Sequence, residues 1–425
     1  MDVPDPVKGV PDWLPPESAA FHAVERAFLA AAQLGGYERI RIPVFEHTEV
    51  FARGVGEATD IVQKEMYTFA DRGGRSLTLR PEGTAGVVRA ALTAGVPRQQ
   101  ALPVKYAYAG EFFRYERPQA GRQRAFSQVG VEALGSQDPM LDAEIVWLGY
   151  EALRRAGLDH ITLRMNTLGD REDRPAYRER LSAHLDRFAD RLPADVADRR
   201  HLNPLRAFDS KAPGMEAILA EAPRLADHVN AEAKAHYAEV CRLLEAEGLP
   251  LTHDPMLVRG LDYYTRTTFE FESAELGAQN AVGGGGRYDG LAEDLGYSER
   301  VPGIGWALGV DRTVLALRGA GKTPPRPPRV QAFVAVADAA LTGAAFALVA
   351  ELRRAGVSTD VGVDGRGLRS QLKAADRAGA SVALVLGADE AAREAVTLRD
   401  MASGEQREVA RGEVAEAVID HLDVA

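Results

Sequence analysis

The chain of 425 residues is 46% hydrophobic and 27% charged, which is ordinary for a globular protein with a large core and two or three domains. A formal net charge of −11 argues against bulk attraction to nucleic acid, so any RNA contact must depend on local arginine clusters. The single cysteine, Cys241, excludes an internal disulfide framework and a cysteine zinc cluster.

The amino terminus carries no pattern of a signal peptide. It reads MDVPDPVKGVPDWLPPES, without a basic segment followed by an apolar one, and no later apolar run is long enough to span a bilayer. The nine histidines are scattered and form no HExxH motif, so no metal site is legible. We therefore expect a cytoplasmic protein without membrane contact.

The first predicted element is a long helix. The segment AAFHAVERAFLAAAQLGGYERI has apolar residues at helical spacing and reaches a stop at Gly35 and Gly36. The following RIRIPVFEHTEVF alternates as a strand does, and Pro43 inside it confines that strand to a sheet edge or an interface.

A hairpin, a strand and a helix are predicted next. TDIVQKEMYTFADRGGRSLTLRPEGTAGVVRAAL turns at about residues 71–74 and enters a helix at about Thr84. Glu82 and Thr84 lie where the strand meets this helix. Spacing alone favours helix capping by Thr84 at least as strongly as ligand binding.

A polar hairpin follows in VKYAYAGEFFRYERPQAGRQRAFSQVGVEALG, where two strand-like runs flank a turn with Pro118 and Gly121. The hairpin places two groups on facing strands: Arg114 and Glu116 on the first, and Phe126, Gln128 and Glu132 on the second. Because exposed pairs with neighbouring acids would stabilise little, its arginine cluster favours a site for phosphate and RNA: Arg114, Arg117, Arg122 and Arg124.

Beyond this hairpin, helix and strand alternate to about residue 165, and residues 171–250 then show a charged helical pattern with little strand signal. We interpret them as a small helical insertion, which contains the segment LNPLRAFDSK.

Residues 258–291 combine charge, phenols and glycine. VRGLDYYTRTTFEF suits a strand and carries Arg259, Asp262, Tyr263 and Tyr264. Four glycines at 283–286 leave a backbone that another backbone or a ligand can approach closely, and Arg287 and Tyr288 follow them. A pocket for a small polar molecule with negative charge and an ordinary core strand are about equally favoured by composition.

A glycine-rich strand running into a helix is predicted in VPGIGWALGVDRTVLALRGAG, with Arg312 at the helix start. The adjacent RGAGKT is no phosphate loop, because Ala316 stands where its first glycine belongs. The prolines that follow predict a linker.

From about Val330, strands and helices alternate, which predicts a small, largely parallel α/β domain with helices on both faces. The segment GRGLRSQLKAADRAGA brings basic residues together on or just before one helix, and a solvated face is their plainer interpretation: Arg366, Arg369, Lys373 and Arg377.

Together these motifs resemble the histidyl-tRNA synthetases, a family of class II aminoacyl-tRNA synthetases. The first helix with the Pro43 strand resembles motif 1, FRxE followed by RxFxQ resembles motif 2, and the Arg312 segment resembles motif 3. VRGLDYYTRT and GGGGRYDGL resemble the two histidyl-specific motifs, LRPEGTAG resembles the segment that holds the substrate amino group, and LNPLRAFDSK resembles a landmark of the family's insertion domain.

The resemblance implies an α+β fold, with an antiparallel class II sheet of about seven strands flanked by helices. The implied domains are a catalytic core in two parts (1–170 and 251–320), a helical insertion (171–250), a linker (321–329) and an α/β anticodon-binding domain (330–425). The insertion is equally well explained as a surface hairpin without a partner or as a grip on the tRNA acceptor arm.

The implied reaction joins histidine and ATP to histidyl-adenylate and then transfers the histidyl group to the 3′ end of histidine tRNA. The family further implies a homodimer through motif 1, and Mg²⁺ bridging the outer phosphates of ATP. The alternative is a non-catalytic paralogue that serves as a regulatory subunit of ATP phosphoribosyltransferase. It usually lacks the anticodon-binding domain, so the complete motif set favours the enzyme.

The resemblance also implies residue roles. Catalysis falls to Arg114, Arg259 and Arg312, which with Glu116 and Phe126 would bind ATP. The histidine substrate would be held by Glu82, Thr84, Gln128, Glu132, Tyr263, Tyr264 and Tyr288, with Glu132 and Tyr264 meeting the imidazole nitrogens. The implied tRNA contacts are Arg117, Arg122, Arg124, Arg366 and Arg369.

Overall fold

A computed structural model describes residues 3–57, 59–210, 212–258, 260–277, 279–323 and 328–424. The chain divides into two compact units, residues 1–325 and residues 326–425. None of the helices in these described ranges has both the length and the apolar character needed to cross a bilayer.

The first unit contains both β-strands and α-helices. Its strands are β1 (Glu38–Arg39), β2 (Phe45–His47), β3 (Thr68–Ala70), β4 (Ser76–Leu79), β5 (Val104–Phe113), β6 (Ala125–Leu134), β7 (Thr162–Thr167), β8 (Leu251–His253), β9 (Thr265–Glu272), β10 (Ala281–Arg287) and β11 (Gly303–Gly309). Its α-helices are α1 (Glu17–Leu34), α2 (Thr48–Val55), α3 (Thr84–Thr93), α4 (Val96–Gln99), α5 (Pro139–Arg155), α6 (Arg174–Asp186), α7 (Ala194–Arg199), α8 (Met215–Ala220), α9 (Leu225–His228), α10 (Ala231–Ala246), α11 (Leu291–Asp294) and α12 (Val310–Gly319).

Among the described residues, the main sheet has eight strands in the order β1-β5-β6-β11-β10-β9-β7-β8. Its six central strands pair antiparallel, whereas β1 with β5 and β7 with β8 are parallel pairs at the two edges. The predicted class II sheet is therefore confirmed, with parallel edge pairs that the expectation of about seven antiparallel strands did not include.

Helices cover one face of this sheet. Val129 and Val131 on β6 pack with residues of α1, α5, α10 and α12 in a single core cluster. Successive side chains of a strand point to opposite faces, so the alternate residues Gln128 and Glu132 lie on the other face, where α3 and α6 pack over part of the sheet. That face carries the candidate site.

Three local predictions are wrong. Asp262, Tyr263 and Tyr264 precede β9, which begins at Thr265, so they do not lie on the predicted strand. Pro43 lies between β1 and β2 and not inside a strand, because the chain leaves the sheet after Arg39 and proline has no N–H for a ladder. Arg114 and Glu116 follow β5, which ends at Phe113, so they occupy the loop of the hairpin.

The predicted helical character of residues 171–250 is confirmed for their described part. Five α-helices, α6 to α10, lie there together with short 3₁₀ turns, and β8 begins only at Leu251. Tyr177, Leu181 and Leu185 of α6 share a core cluster with Tyr263 and Tyr288. The insertion therefore packs against the segments that carry the histidyl-specific motifs.

The second unit contains strands β12 (Ala332–Val336), β13 (Thr359–Val361), β14 (Val382–Leu386), β15 (Ala395–Asp400) and β16 (Gln406–Ala410) and helices α13 (Thr342–Arg354), α14 (Leu368–Ala378), α15 (Ala388–Ala392) and α16 (Val414–Val424). The order β13-β12-β14-β15-β16 starts with parallel pairs and ends with antiparallel ones. Val334 packs with α13 and α16, while its neighbour Phe333 packs with α14. Helices on both faces are as predicted.

Candidate active site

A cleft of about 780 Å³ opens on the face of the main sheet that carries Gln128. Its lining includes most of the side chains that the motifs singled out: Glu82, Thr84, Arg114, Glu116, Arg122, Phe126, Gln128, Tyr263, Tyr264, Tyr288 and Arg312. Carboxylates and phenols gather at one end, which we call the histidine end. Arginines gather at the other, which we call the phosphate end.

Glu132 lies behind the histidine end: it has no exposed surface and is not among the lining residues of the cleft, whereas its partners Thr84, Tyr108 and Tyr288 are. Its Oε1 accepts hydrogen bonds from Thr84 Oγ1 at 2.7 Å and the Tyr108 hydroxyl at 3.2 Å, and its Oε2 accepts one from the Tyr288 hydroxyl at 2.6 Å. Burial raises the pKa of Glu132 to about 8, and these hydroxyl donors partly oppose that rise. The carboxylate is thus held by neutral donors.

Tyr108 was missed by the sequence interpretation, although it fixes Glu132. It lies on β5, two residues from Tyr106, which pairs with Glu132 across the ladder, so Tyr108 shares its face. Its ring occupies space that a side chain at Gly130 would need, since a Cβ there would lie 2.2 Å from the ring. Strand alternation in KYAYAG was the available signal, but it required the register with β6.

Glu82 caps α3 as well as lining the cleft. Its carboxylate accepts the backbone N–H groups of Thr84 at 2.7 Å and Ala85 at 3.0 Å. The predicted cap was Thr84, but Gly83 is the N-cap residue and the Thr84 hydroxyl donates to Glu132 instead. The carboxylate of Glu82 and the hydroxyl of Thr84 therefore both belong to the site, beside the positive end of a helix.

The phenols pack against one another above this carboxylate. The Tyr263 ring lies edge-on to Tyr264 and Tyr288, with centroids 4.7 and 5.8 Å away, and its hydroxyl is 3.5 Å from Glu82 Oε2. All three tyrosines are buried, Tyr264 with 6% of its surface exposed.

The glycines at 283–286 lie within β10, which contributes to the floor of the cleft. A Cβ at Gly285 would lie 1.9 Å from the carbonyl oxygen of Gly305 on the neighbouring strand. Close approach of backbones therefore demands glycine here, and Gly283 and Gly284 also line the cleft.

Below Tyr288, the fully buried Arg287 organises a network of charges. Its guanidinium pairs with Asp142 of α5 and with Asp289 at 3.0 Å, and donates to the carbonyl oxygen of Ser136 at 2.8 Å. His236 of α10 donates through Nε2 to the same Asp142 at 2.8 Å. This network fixes both neighbours of Tyr288 and therefore the direction of its hydroxyl.

Backbone carbonyls hold the arginines of the phosphate end. Arg114 Nε donates to the Pro81 oxygen at 2.9 Å, and Arg312 donates to the oxygens of Gly121 at 2.9 Å, Ala281 and Gln279. Neither guanidinium forms a salt bridge within the described residues. Burial, and then the charge of Arg122, lowers the pKa of Arg312. Carbonyl oxygens position these cations without neutralising them.

The predicted adenine contacts lie beside Arg114. The Phe126 ring is 5.4 Å from the Arg114 guanidinium carbon, and Gln128 follows it along β6. Glu116 forms a salt bridge with Arg122 at 3.2 Å, which directs its carboxylate into the loop of the hairpin. All five side chains line the cleft.

The remaining predicted residues lie elsewhere. Arg117 is exposed on the hairpin loop, and Arg124 lies over the Tyr115 ring at 4.1 Å. Arg366 and Arg369 are exposed in the second unit, just before and at the start of α14. Arg259 lies outside the described residues. Asp311, which accepts the Ser127 backbone N–H at 2.7 Å within the cleft wall, was not anticipated.

No group of three or more His, Cys, Asp or Glu side chains in the described ranges is placed to hold a metal ion. Glu270 of β9 lines the cleft, and its charge acts on Arg312. Protein-bound Mg²⁺ commonly takes one or two carboxylates and completes its shell with substrate phosphates and water. The donors present fit an ion that arrives with a nucleotide.

An antiparallel sheet with helices on one face, and a cleft on the other that joins arginines to buried carboxylates, defines a class II aminoacyl-tRNA synthetase. Residues 9–313 match the family model described as histidyl-tRNA synthetase, and residues 331–421 match the model of an anticodon binding domain. The chain belongs to the histidyl-tRNA synthetase family.

Individual relatives agree. The chain is 52% identical over 407 residues to a histidine–tRNA ligase of Nocardia farcinica, covering 96% of each protein. It is 52% identical over 416 residues to that of Mycobacterium bovis BCG Pasteur, covering 98% of this chain and 97% of the relative. The crystal structure of apo histidyl-tRNA synthetase of S. aureus superimposes with a TM-score of 0.81 at 34% identity, covering 98% and 99% of the two chains.

Proposed function

We propose that the protein activates histidine with ATP to form histidyl-adenylate and transfers the histidyl group to the 3′ end of histidine tRNA, in the cytoplasm where tRNA is used. The observation that carries this proposal is the proximity of two arginines, Arg114 and Arg312, which form no salt bridge within the described residues, to a buried carboxyl group held by hydroxyl donors. The regulatory-subunit alternative is not favoured, because the relatives are ligases over nearly the full chain.

Selection of histidine is the task we assign to the histidine end. A neutral imidazole offers one N–H donor and one acceptor nitrogen. Glu132 accepts the N–H and Tyr264 serves the other nitrogen, while Glu82, Thr84 and Gln128 hold the α-amino group. An amino acid without a ring N–H and a ring acceptor cannot form either of these hydrogen bonds, so its binding is penalised.

Adenylate formation is the task of the phosphate end. A carboxylate oxygen of histidine forms a bond to the α-phosphorus, and the bond to the bridging oxygen of the β-phosphate breaks to release pyrophosphate. Such a displacement needs alignment and stabilisation of charge more than covalent help. Arg114 and Arg259 are assigned to the α-phosphate and Arg312 to the γ-phosphate, with Phe126 stacked on adenine and Glu116 accepting from its amino group.

Magnesium would supply charge neutralisation of the outer phosphates when it is bound with ATP. Glu270 is the carboxylate of the cleft beside Arg312 that would hold it.

In the second half-reaction a ribose hydroxyl of the terminal adenosine attacks the adenylate carbonyl and AMP leaves. Arg117, Arg122 and Arg124 are assigned to the acceptor end of the tRNA, and Arg366 and Arg369 to its anticodon.

A homodimer is part of the proposal. Phe45 of β2 and Phe69 of β3 pack edge to face with centroids 6.2 Å apart, yet 51% and 44% of their surfaces remain exposed. Val44 beside them is 47% exposed. This apolar patch follows Pro43, in the segment that resembles motif 1, and a two-fold partner would cover it. Light scattering at micromolar concentration should give twice the chain mass, and a monomeric mass contradicts the assignment.

The direct test of the activity is ATP–pyrophosphate exchange measured with each of the twenty amino acids. We expect exchange with histidine and with no other. Exchange with a different amino acid, or with none, would sink the assignment of the histidine end.

A further inference from the structure

Tyr263 lines a second cleft as well as the active one. This cleft has a volume of about 610 Å³ and is bordered by α2, the start of α6 and the loop that leads to Tyr263. Its lining includes Arg53, Arg171, Arg174 and Arg178, and we call it the arginine cleft. The proposed aminoacylation chemistry uses none of these side chains.

Two of the arginines have no acid partner. Arg178 forms no hydrogen bond or ion pair within the described residues, and its Nε is buried. Arg174, one helical turn before it on α6, donates through Nη1 to the carbonyl oxygen of Asp262 at 3.0 Å, while its buried Nη2 has no partner there. Two adjacent guanidinium groups are therefore held without an ion pair to balance them.

The acids of the cleft do not relieve this imbalance. Asp294 pairs with Arg171, Glu179 lies exposed at the rim, and Asp262 packs against Gly56. Arg53 pairs at 2.9 Å with Glu49, which is outside the cleft. Four arginines and three acids line the cleft, and Glu49 outside it balances Arg53. The imbalance therefore lies in the pairing and not in the total charge, because Arg174 and Arg178 form no ion pair within the described residues. Burial and the neighbouring Arg178 lower the pKa of Arg174 to about 10, against the opposing effect of Asp262.

A purely structural role explains this arrangement poorly. Burying a charge without a partner is costly, and like charges placed side by side add to that cost. The planar fork of a guanidinium matches the oxygens of a phosphate, and two such forks on one helix face provide several donors to one group. We infer that the arginine cleft binds a phosphate group, carried either by free phosphate or by the backbone of a bound RNA.

The experiment follows thermal unfolding of the full chain as inorganic phosphate is added at constant ionic strength. A non-hydrolysable histidyl-adenylate analogue fills the active cleft, so that phosphate is not sensed at Arg114 or Arg312. We expect phosphate to raise Tm in the wild type and in the control Arg180→Gln, which changes an exposed residue of α6 outside the cleft. In Arg178→Gln the increase should be lost.

Folding of the variant is not at risk, because Arg178→Gln removes a like charge from beside Arg174 and should leave Tm without phosphate unchanged or higher. A second variant, Arg53→Gln, alters an exposed side chain and should reduce the phosphate response in part.

The two sources of phosphate are distinguished by aminoacylation. If the occupant is RNA backbone, Arg178→Gln should raise KM for tRNA roughly threefold to tenfold relative to Arg180→Gln, with a shallower salt dependence. If it is free phosphate, KM for tRNA stays equal and the Tm response alone is lost. The inference is overturned if Arg178→Gln matches Arg180→Gln in both measurements, a result that would leave the proposed aminoacylation untouched.

Discussion

The two ends of the active cleft solve opposite electrostatic problems. At the histidine end the ionisable groups are carboxyl groups, and Glu132 and Glu82 are buried under hydroxyl and backbone N–H donors, with pKa values that burial raises. At the phosphate end the charged groups are arginines, held in place by carbonyl oxygens. Selection of an imidazole requires a buried acceptor with fixed geometry, whereas binding of a triphosphate requires positive charge that no acid has cancelled.

The largest effect is expected from the phosphate end. Replacing Arg312 with Gln keeps a donor but removes the charge, so adenylate formation should slow by roughly two to three orders of magnitude. ATP–pyrophosphate exchange at saturating histidine measures it. Arg318→Gln on the same helix changes an exposed side chain and serves as the matched control. Near-normal exchange in Arg312→Gln would show that adenylate formation does not need the positive charge of Arg312.

Glu132→Gln tests the other end. The substitution keeps the shape but replaces an acceptor oxygen with a donor, which conflicts with the hydroxyls of Thr84, Tyr108 and Tyr288. We expect kcat/KM for histidine to fall about a hundredfold, with KM for ATP nearly unchanged. Glu111→Gln, exposed on β5, should behave as the wild type. Equal losses for ATP and histidine would show that the two ends are not separate in function.

Tyr108→Phe isolates one donor to Glu132. Phenylalanine fills the same space between the strands, so the fold should be kept and the carboxylate loses only the 3.2 Å hydrogen bond. KM for histidine should rise roughly fivefold, with kcat within a factor of about two. Tyr106→Phe on the same strand is the control. An unchanged KM would mean that Tyr108 packs without orienting Glu132.

The last prediction concerns stability and not activity. The pKa of Glu132 rises from 4.5 to about 8 on folding, so between these values the folded protein binds more protons than the unfolded chain. The contribution of Glu132 to the free energy of unfolding therefore falls as pH rises from 4.5 to about 8, by up to about 1.4 kcal/mol per pH unit, and is constant above this range. Urea unfolding of the ligand-free protein from pH 6 to 8 should show this slope in the wild type relative to Glu132→Gln. If the free energy of unfolding changes with pH equally in the wild type and in Glu132→Gln, a group other than Glu132 titrates in this range.

What the sequence predicted depended on how local each feature is. The start of α3 at Thr84 and the helical character of residues 171–250 follow from periodicity and from glycine and proline positions, and the structure has them. The second sheet was predicted to be largely parallel, but two of its four strand pairs are antiparallel. Pro43 and Arg114 were placed inside strands because alternation cannot reveal where a strand leaves its partner. Tyr108 was missed because its contact with Glu132 depends on the register of two strands.

The site roles came from the resemblance, not from periodicity, and they stay predictions. The structure brings Glu82, Glu132 and Tyr288 together and gathers Arg114 and Arg312 at one end. No pattern in the chain indicates that carbonyl oxygens hold those arginines, since backbone acceptors carry no sequence signal. The role of Arg259 stays a prediction, because this residue lies outside the described residues.

The buried network around Arg287 has a consequence for the order of folding. Its charges come from Asp142, His236 and Arg287, which are separated by up to 145 residues, and each is costly to bury before the others arrive. Contacts between such distant segments form late, because a long loop must close before they stabilise anything. We therefore expect the backbone around Tyr288 to gain protection from hydrogen exchange after the hairpin of β5 and β6, so that the chain acquires its histidine pocket only once the insertion helix α10 has docked.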